Sequence, residues 1–289
     1  MTEPAHDRGT PLARTTAQLG PQLGQLSQVA RNGTRRTMHS DSPALVLVAH
    51  GSRDPRTPRA VATLLDRVRE LRPGLDVRLG HIELNEPALP DTLAALGAGR
   101  AVLVPLLLGR GVHIKRDLPA FAADAARLET RIAGALGPHP LLVEALYDRL
   151  TEAGWHTSTR AHPRGGDAVV LAAAGSRDPE SAADTRRTAA LLSERLGGVP
   201  VLAAYASAAS PTVPEALRAL AARGHHRTAV ASYFTAPGYF AGRAAAAAPW
   251  IAAAPLGAHP ALARLVLHRY DEALTTPYPK RARRLLTSA

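Results

Sequence analysis

Two histidines in the chain stand near glycines in short polar stretches that follow apolar runs. His50 lies in VAHGSRDP beside Gly51, and His113 lies in GRGVHIKRD two residues after Gly111. An imidazole can bind a divalent cation and can take up a proton near neutral pH, and a nearby glycine lets a ligand approach the backbone. We therefore predict that the two histidines form a site that holds a metal ion and accepts protons.

A second copy of this pattern indicates which residues the loops need for their shape. The stretch AAAGSRDP repeats the sequence around His50 but carries Ala174 in place of the imidazole. In the same register Phe240 stands where His113 stands, whereas the glycine of that loop persists as Gly238. Residues that both copies share are expected to shape the loops, and the two unshared histidines mark the site.

Other polar residues recur in both copies and are assigned first to the architecture of the fold. His139 and His259 occupy matching positions in LGPHP and LGAHP, which favours a structural role at the start of a helix. Arg53–Asp54 recurs as Arg177–Asp178. For this pair we expect a role in the loop first and a contact with substrate second.

Short apolar runs alternate with helical patterns along both copies. The first copy predicts a strand from Ala44, a helix over Arg59–Arg72, a strand in VRLGHIE, a helix over Pro87–Gly97 and a strand over Ala101–Leu108. This order is typical of right-handed βαβ units around a parallel sheet. Because the pattern repeats after about 125 residues, too long for a solenoid repeat, it predicts an α/β protein with two similar domains.

The predicted strands place the candidate residues at one edge of the first sheet. His50 ends the first strand, Glu83 ends the second, and His113 follows the third by a few residues. Ligands of open parallel sheets bind beyond the carboxyl ends of the strands. We therefore expect all three side chains to face the same rim.

The repeat and the local composition divide the chain into five segments. The first half carries the predicted site, and the second half is a degenerate repeat without it. The predicted segments are a disordered tail over 1–43, the first half over 44–155, a linker over 156–166, the second half over 167–275 and a basic tail over 276–289.

Composition excludes several kinds of site and partner. The 289 residues include no cysteine, which excludes disulfides, thiolate metal ligands and a cysteine nucleophile. No apolar run approaches the roughly 20 residues that cross a bilayer, and the start of the chain lacks a secretory pattern, so we expect a cytoplasmic protein with no membrane partner. The net charge of +11 is spread over both halves, which suits an acidic small molecule better than nucleic acid.

Three motifs of the first half resemble those of the sirohydrochlorin chelatases, which insert cobalt or ferrous iron into a tetrapyrrole. These motifs are VAHGSRDP, HIELNEP and VPLLLGRGVHIKRDLP, in that order. The whole of Ala44–Leu274 is similar to the duplicated long form of the family, in which two halves face each other across a cleft. The resemblance implies two flavodoxin-like or Rossmann-like domains with parallel sheets, of the class II chelatase type.

The resemblance also implies roles for individual residues of the first half. It implies that His50 and His113 hold the incoming Fe²⁺ or Co²⁺ and accept pyrrole protons, that Glu83 assists, and that no cofactor is permanently bound. The substrate, sirohydrochlorin, is an acidic tetrapyrrole whose carboxylates suit arginine side chains. The positions expected to bind it are Arg53, Asn85, Leu108, Gly109, Arg110, Gly111 and Val112.

The second half offers aromatic residues where the first half offers histidine. Tyr233, Phe234, Tyr239 and Arg243 are suited to covering one face of a macrocycle, and they are equally suited to simple packing. Both interpretations stay open on the sequence alone.

Several other functions stay open as alternatives. A tetrapyrrole or metal carrier needs the same pocket as a catalyst, and only turnover separates the two. A histidine phosphatase expects Arg before the histidine, where this chain has Ala49, and a nucleic-acid-binding protein would use the basic end Lys280–Ala289. The chain has no GxxxxGK loop, so we expect metal insertion without ATP. Duplication within the chain favours a monomer.

Overall fold

Two parallel β-sheets organise the molecule, one in each half of the chain. The computed structural model describes residues 42–156 and 166–275. The first sheet has four strands in the order β2-β1-β3-β4, and the second has three in the order β6-β5-β7. All pairs of neighbouring strands in both sheets are parallel. The predicted α/β class with two parallel sheets is confirmed.

Helices alternate with the strands in both halves, as the apolar patterns predict. The first half comprises β1 (Ala44–Ala49), α1 (Arg56–Leu71), β2 (Val77–His81), α2 (Leu89–Leu96), β3 (Gly99–Pro105), a π-helix (His113–Asp117), α3 (Leu118–Asp124), β4 (Leu128–Ile132) and α4 (Pro140–Glu152). The second half comprises β5 (Asp167–Ala173), α5 (Pro179–Arg195), β6 (Val201–Tyr205), α6 (Val213–Ala221), β7 (Arg227–Tyr233), α7 (Tyr239–Ala246) and α8 (Pro260–Thr275).

The central strands β1 and β5 are buried on both faces, which explains why they are almost continuously apolar, whereas the edge strands β2 and β4 also carry exposed polar residues. In β1, Leu45 and Leu47 point into a core that lies between the two sheets, and Val46 and Val48 point to the opposite face. The central core also contains Val169 of β5 and other residues of the second half. One hydrophobic core therefore joins the two halves.

The last helix of each half packs on the sheet of the other half. Helix α4 of the first half lies against β7 and α5, and helix α8 of the second half lies against β3 and α1. The two exchanged helices also pack on each other. The two halves are therefore separate in the sequence but do not pack as two separate domains.

Two strands end earlier than the sequence predicts. Strand β2 ends at His81, two residues before Glu83, and the chain then turns at Leu84, which has a positive φ of 65°. Strand β3 ends at Pro105, so Leu108 belongs to the loop that follows rather than to the strand. Both loops lie at the carboxyl edge of the sheet, where the site was predicted.

Three of the predicted segments fall largely outside the residues that the structure describes. The predicted tail lies there up to residue 41, as do residues 157–165 of the linker and the whole basic tail. Among the described residues, no helix is long and apolar enough to cross a membrane.

Candidate functional site

The site begins where β1 and β2 end side by side. His50 directly follows β1, and the backbone N–H of Glu83 donates a hydrogen bond of 2.9 Å to the carbonyl oxygen of His50. This bond continues the pairing of the two strands beyond their ends and keeps the Glu83 backbone beside His50. The sequence therefore predicts the neighbourhood of Glu83 correctly, although it places the end of the strand two residues too late.

A close backbone approach shapes the loop after β1. Gly51 has a positive φ of 104°, and a Cβ atom built there would lie 1.8 Å from the carbonyl oxygen of Glu83. No side chain fits this space, so only glycine lets the two loops touch. The backbone N–H of Ser52 then donates a 2.6 Å hydrogen bond to the side-chain oxygen of Asn85, which joins the same two loops.

His113 comes from the loop after β3 and is the first residue of the π-helix. Its Nδ1 donates a 2.6 Å hydrogen bond to the carboxylate of Asp117, one turn later. Because an ionised carboxylate can only accept, this bond keeps the proton on Nδ1 and leaves the Nε2 lone pair free. Such a carboxylate partner is typical of histidines that bind metal ions.

The structure brings the three predicted catalytic residues together. The rings of His50 and His113 lie edge to face with their centroids 4.6 Å apart. One ligand atom from each of His50, Glu83 and His113 lies within 4.8 Å of the others. Two imidazoles and a carboxylate at this spacing can hold one divalent cation and leave coordination positions open.

A cleft of about 810 Å³ opens beside these residues, at the carboxyl ends of strands from both halves. It is lined by His50 and His113 on one side and by Ala174 and Phe240, their counterparts, on the other. A volume of this size is within the range of small-molecule and cofactor sites. The predicted cleft between two similar halves is present.

The residues predicted to bind substrate fall into two groups. Among the described residues, the cleft lining includes Arg53, Leu108, Gly109, Gly111 and Val112 but not Asn85 or Arg110. The side-chain oxygen of Asn85 is bonded to Ser52, as described above. For Asn85 and Arg110 the structure therefore shows contacts within the protein, and a contact with substrate stays a prediction.

Arg110 and Lys115 form ion pairs with the second half. The guanidinium of Arg110 binds Asp184 at 2.7 Å and Glu180 at 3.4 Å, and these carboxylates, Asp184 first, raise its pKa. Lys115 lies 2.6 Å from both Asp178 and Glu180, whose hydrogen bonds raise the pKa of its ammonium group. Both cations are already neutralised by protein carboxylates.

The aromatic residues of the second half also form two groups, one buried in contacts within the protein and one exposed at the cleft. Tyr233 is buried, and its hydroxyl donates a 3.0 Å hydrogen bond to the carbonyl oxygen of Leu108. Tyr239 and Phe240 are 70% and 38% exposed at the cleft. Packing is thus the role of Tyr233, while Tyr239 and Phe240 remain available to a bound molecule.

The recurring polar residues have the structural roles that recurrence predicts. The Nδ1 atoms of His139 and His259 each accept a hydrogen bond from a backbone N–H in the first turn of α4 and α8, which caps these helices. Asp54 and Asp178 likewise accept backbone hydrogen bonds at the starts of α1 and α5. The predicted structural role is confirmed for these two histidines and two aspartates.

Two carboxylates near the site are absent from the sequence-based prediction. Asp117 stands four residues after His113, and this spacing on a helix is a signal that the sequence contains. Asp184 lies 74 residues from Arg110 in the chain, and no local sequence pattern predicts their contact. Only the packing of the two halves reveals it.

Comparison with known proteins agrees with the duplicated architecture. Residues 44–153 and residues 168–273 each match the family model of CbiX. SirB from Bacillus subtilis, a structure solved with Fe3+, superposes with a TM-score of 0.63 at 24% identity, covering 80% of this chain and 95% of that one. At this identity the likeness shows a common fold.

Curated relatives match the chain over shorter stretches. The chain is 30% identical over 137 residues to the chloroplastic sirohydrochlorin ferrochelatase of Arabidopsis thaliana, covering 45% of this chain and 59% of the relative. It is 39% identical over 79 residues to the sirohydrochlorin cobaltochelatase of Methanococcus aeolicus, covering 26% of this chain and 55% of the relative. The chain thus spans a little over half the length of these two relatives.

Proposed function

The chain belongs to the CbiX family, and we propose that it inserts a divalent metal ion, Fe²⁺ or Co²⁺, into sirohydrochlorin. The observation that carries this proposal is the convergence of His50, Glu83 and His113 within 4.8 Å at the edge of the cleft. The names of the relatives support sirohydrochlorin as the substrate, and they include both an iron and a cobalt enzyme.

The three side chains suit a metal ion that must be bound and then given up. Neutral imidazole nitrogens of His50 and His113 and a carboxylate oxygen of Glu83 hold the incoming ion. Three protein ligands leave open positions to which the nitrogens of the tetrapyrrole can bind. The protein has no thiolate, a ligand that would retain such an ion more tightly.

Insertion exchanges one divalent cation for two protons. Two pyrrole N–H bonds break as the ring nitrogens bind the ion, and the two protons must leave the cleft. Glu83 is exposed and next to both imidazoles, so its carboxylate can accept a proton as the ion leaves it. Each imidazole regains its own free lone pair at the same step and can accept a proton as well.

The cleft residues support the binding of an acidic macrocycle. Arg53 is exposed at the lining and offers a guanidinium to a substrate carboxylate. Leu108, Gly109, Gly111 and Val112 offer apolar surface and backbone beside His113. On the facing wall, Tyr239 and Phe240 offer aromatic rings. We propose that the macrocycle binds between these two walls, with its metal-binding centre towards the histidines.

A chelation assay without nucleotide tests the proposal. Sirohydrochlorin is mixed with Fe²⁺ or Co²⁺ and the protein, and formation of the metallated product is followed by its absorption spectrum. We expect many turnovers with the parent and rates near the uncatalysed rate for His50→Ala and His113→Ala. His156→Ala, which changes an exposed histidine at the start of the linker, is the control and keeps the parental rate.

Two results would contradict the proposal. Product that stops at one equivalent per chain would indicate a carrier instead of an enzyme. Full activity after both histidines are removed would place the metal site elsewhere in the protein. The ratio of the rates with Fe²⁺ and Co²⁺ in the parent identifies the preferred metal.

A further inference from the structure

The loop that delivers His113 is fixed to the second half on both sides of the histidine. Upstream, the buried hydroxyl of Tyr233 holds the carbonyl oxygen of Leu108, and the backbone N–H of Arg110 donates a 3.0 Å hydrogen bond to Asp184. Downstream, the ammonium group of Lys115 lies 2.6 Å from Asp178. The path of the backbone around His113 is therefore set by contacts with the second half.

Asp184 is the centre of these contacts. Its side chain is only 4% exposed, and its carboxylate accepts hydrogen bonds from the backbone N–H, Nε and Nη2 of Arg110, at 3.0, 3.0 and 2.7 Å. A buried carboxylate requires a partner, and a bidentate arginine supplies both charge and direction. Removal of this carboxylate would release the backbone and the side chain of Arg110 together.

A comparison of the two halves shows that these contacts exist on one side only. The counterparts of Arg110 and Lys115 in the second half are Pro237 and Gly242, and the counterpart of Asp184 in the first half is Ala60. The corresponding loop of the second half, after β7, instead accepts a hydrogen bond from the first half: the hydroxyl of Thr57 on α1 donates a 2.6 Å hydrogen bond to the carbonyl oxygen of Pro237. The charged contacts therefore accompany the loop that carries an imidazole.

We propose that Asp184 is a positioning residue for the metal site: by holding Arg110 it fixes the loop that presents His113. The half that carries Ala174 and Phe240 in place of the two histidines thereby contributes to the site of the other half. The proposal rests on the proposed function, because the site is the one assigned to chelation. A displacement of His113 by about 1 Å is enough to spoil a metal or catalytic site.

Binding of Co²⁺ alone tests this role without the tetrapyrrole. Co²⁺ is titrated into the parent and into Asp184→Asn, and both affinity and the visible ligand-field spectrum are recorded. We expect about a tenfold loss of affinity and a changed spectrum, as for other residues that orient a metal ligand. In the chelation assay kcat should fall, whereas KM should change little, because Asp184 is not among the residues that line the cleft.

Glu144→Gln is the matched control. Glu144 of α4 forms an ion pair with Arg264 of α8, so this substitution also removes a charged contact between the halves. Neither residue is among those that line the cleft. We expect parental Co²⁺ affinity, spectrum and kcat for this variant.

Arg110→Gln tests the same contact from its exposed side and decides the question if Asp184→Asn does not fold. It should weaken Co²⁺ binding by no more than Asp184→Asn does, because the backbone N–H of residue 110 can still donate to Asp184. The double variant should be no weaker than Asp184→Asn alone, because both act on the same contact. If Arg110 only bound a substrate carboxylate, this variant would raise KM and leave Co²⁺ affinity unchanged. That result, or parental Co²⁺ affinity and spectrum in folded Asp184→Asn, would overturn the proposal.

Failure of the proposed function would look different. A parent that binds Co²⁺ but never forms metallated product contradicts chelation, while a loss of Co²⁺ affinity in Asp184→Asn still supports the positioning role. A parent that turns over normally, with Asp184→Asn equal to it in both measurements, contradicts the positioning role alone.

Discussion

The loops after β1 and β5 follow the same path but carry different chemistry. Gly51 and Gly175 both have positive φ, 104° and 91°, and a Cβ atom at either would lie 1.8 Å from a carbonyl oxygen of the neighbouring loop. Leu84 and Ala208, one residue after those carbonyls, also share a positive φ. The loops after β5 and β6 thus make the same backbone turns as the loops after β1 and β2.

The side chains of the two halves differ at each position where the first half has a predicted catalytic residue. Ala174, Ser207 and Phe240 of the second half stand where the first half has His50, Glu83 and His113. Asp117, the hydrogen-bond partner of His113, is matched by Ala244. The difference teaches that the shared turn residues serve the fold, whereas the proposed metal ligands and the partner of His113 are confined to the first half at these positions.

The largest expected effect in this comparison follows from an exchange at the Glu83 position. Glu83→Gln keeps the shape of the side chain but weakens its affinity for metal ions and removes its ability to accept a proton. We expect kcat of chelation to fall about 100-fold, a loss typical of an acid–base group. Ser207→Ala, at the matching position, should stay within about twofold of the parent. Equal effects of the two variants on kcat would show that Glu83 has no special role.

A smaller effect is expected from Asp117. Asp117→Asn removes the charged acceptor for Nδ1 of His113, so the ring is free to change its tautomer and its orientation. We expect about a tenfold loss of Co²⁺ affinity in titrations. Asp124→Asn, a change of an aspartate on the following helix, provides the control. Parental Co²⁺ affinity in Asp117→Asn would mean that packing alone orients His113.

The smallest effect should be the same in both halves and concerns stability. Burial first, and then Arg269 and His268, lower the pKa of His139; burial and then Arg149 lower the pKa of His259. Because each pKa is lower in the folded state, each histidine contributes to the free energy of unfolding at pH values above its ordinary pKa of 6.5. This contribution is lost as the pH falls from that value through the lower pKa of the folded state. Protonation of Nδ1 also breaks the helix cap.

Denaturant unfolding of the parent and of His139→Asn and His259→Asn checks this expectation. The free energy of unfolding of the parent should decrease between about pH 7 and pH 5. Each variant keeps a capping oxygen but has no group that titrates, so each should show a weaker decrease. Parental pH dependence in both variants would assign the effect to other groups.

The sequence predicts the fold and the position of the site because duplication gives the chain an internal reference. The strand patterns and the rule for carboxyl edges place His50, Glu83 and His113 on one rim, and the mismatch with Ala174 and Phe240 singles out the two histidines. Local patterns are less precise at strand ends, because the strand pattern VRLGHIE continues two residues past His81, where β2 ends.

The sequence does not reveal contacts between residues that are far apart in the chain. Arg110 near a cleft suggests a site for a substrate carboxylate, but its partner Asp184 lies on a helix of the other half. The same limit applies to the exchanged helices, because α4 follows the strands of its own half in the chain and yet packs on β7. Such contacts depend on how the halves dock, which no periodic pattern records.

The exchanged helices give the chain the architecture of a domain-swapped dimer joined into one polypeptide. The ion pair of Glu144 with Arg264 joins equivalent positions of α4 and α8, so it marks the local two-fold axis. In a dimer of identical half-length chains this contact would oppose Glu to Glu or Arg to Arg. In the fused chain the two copies can carry different residues at equivalent positions. A contact that would be repulsive between identical chains is therefore attractive here.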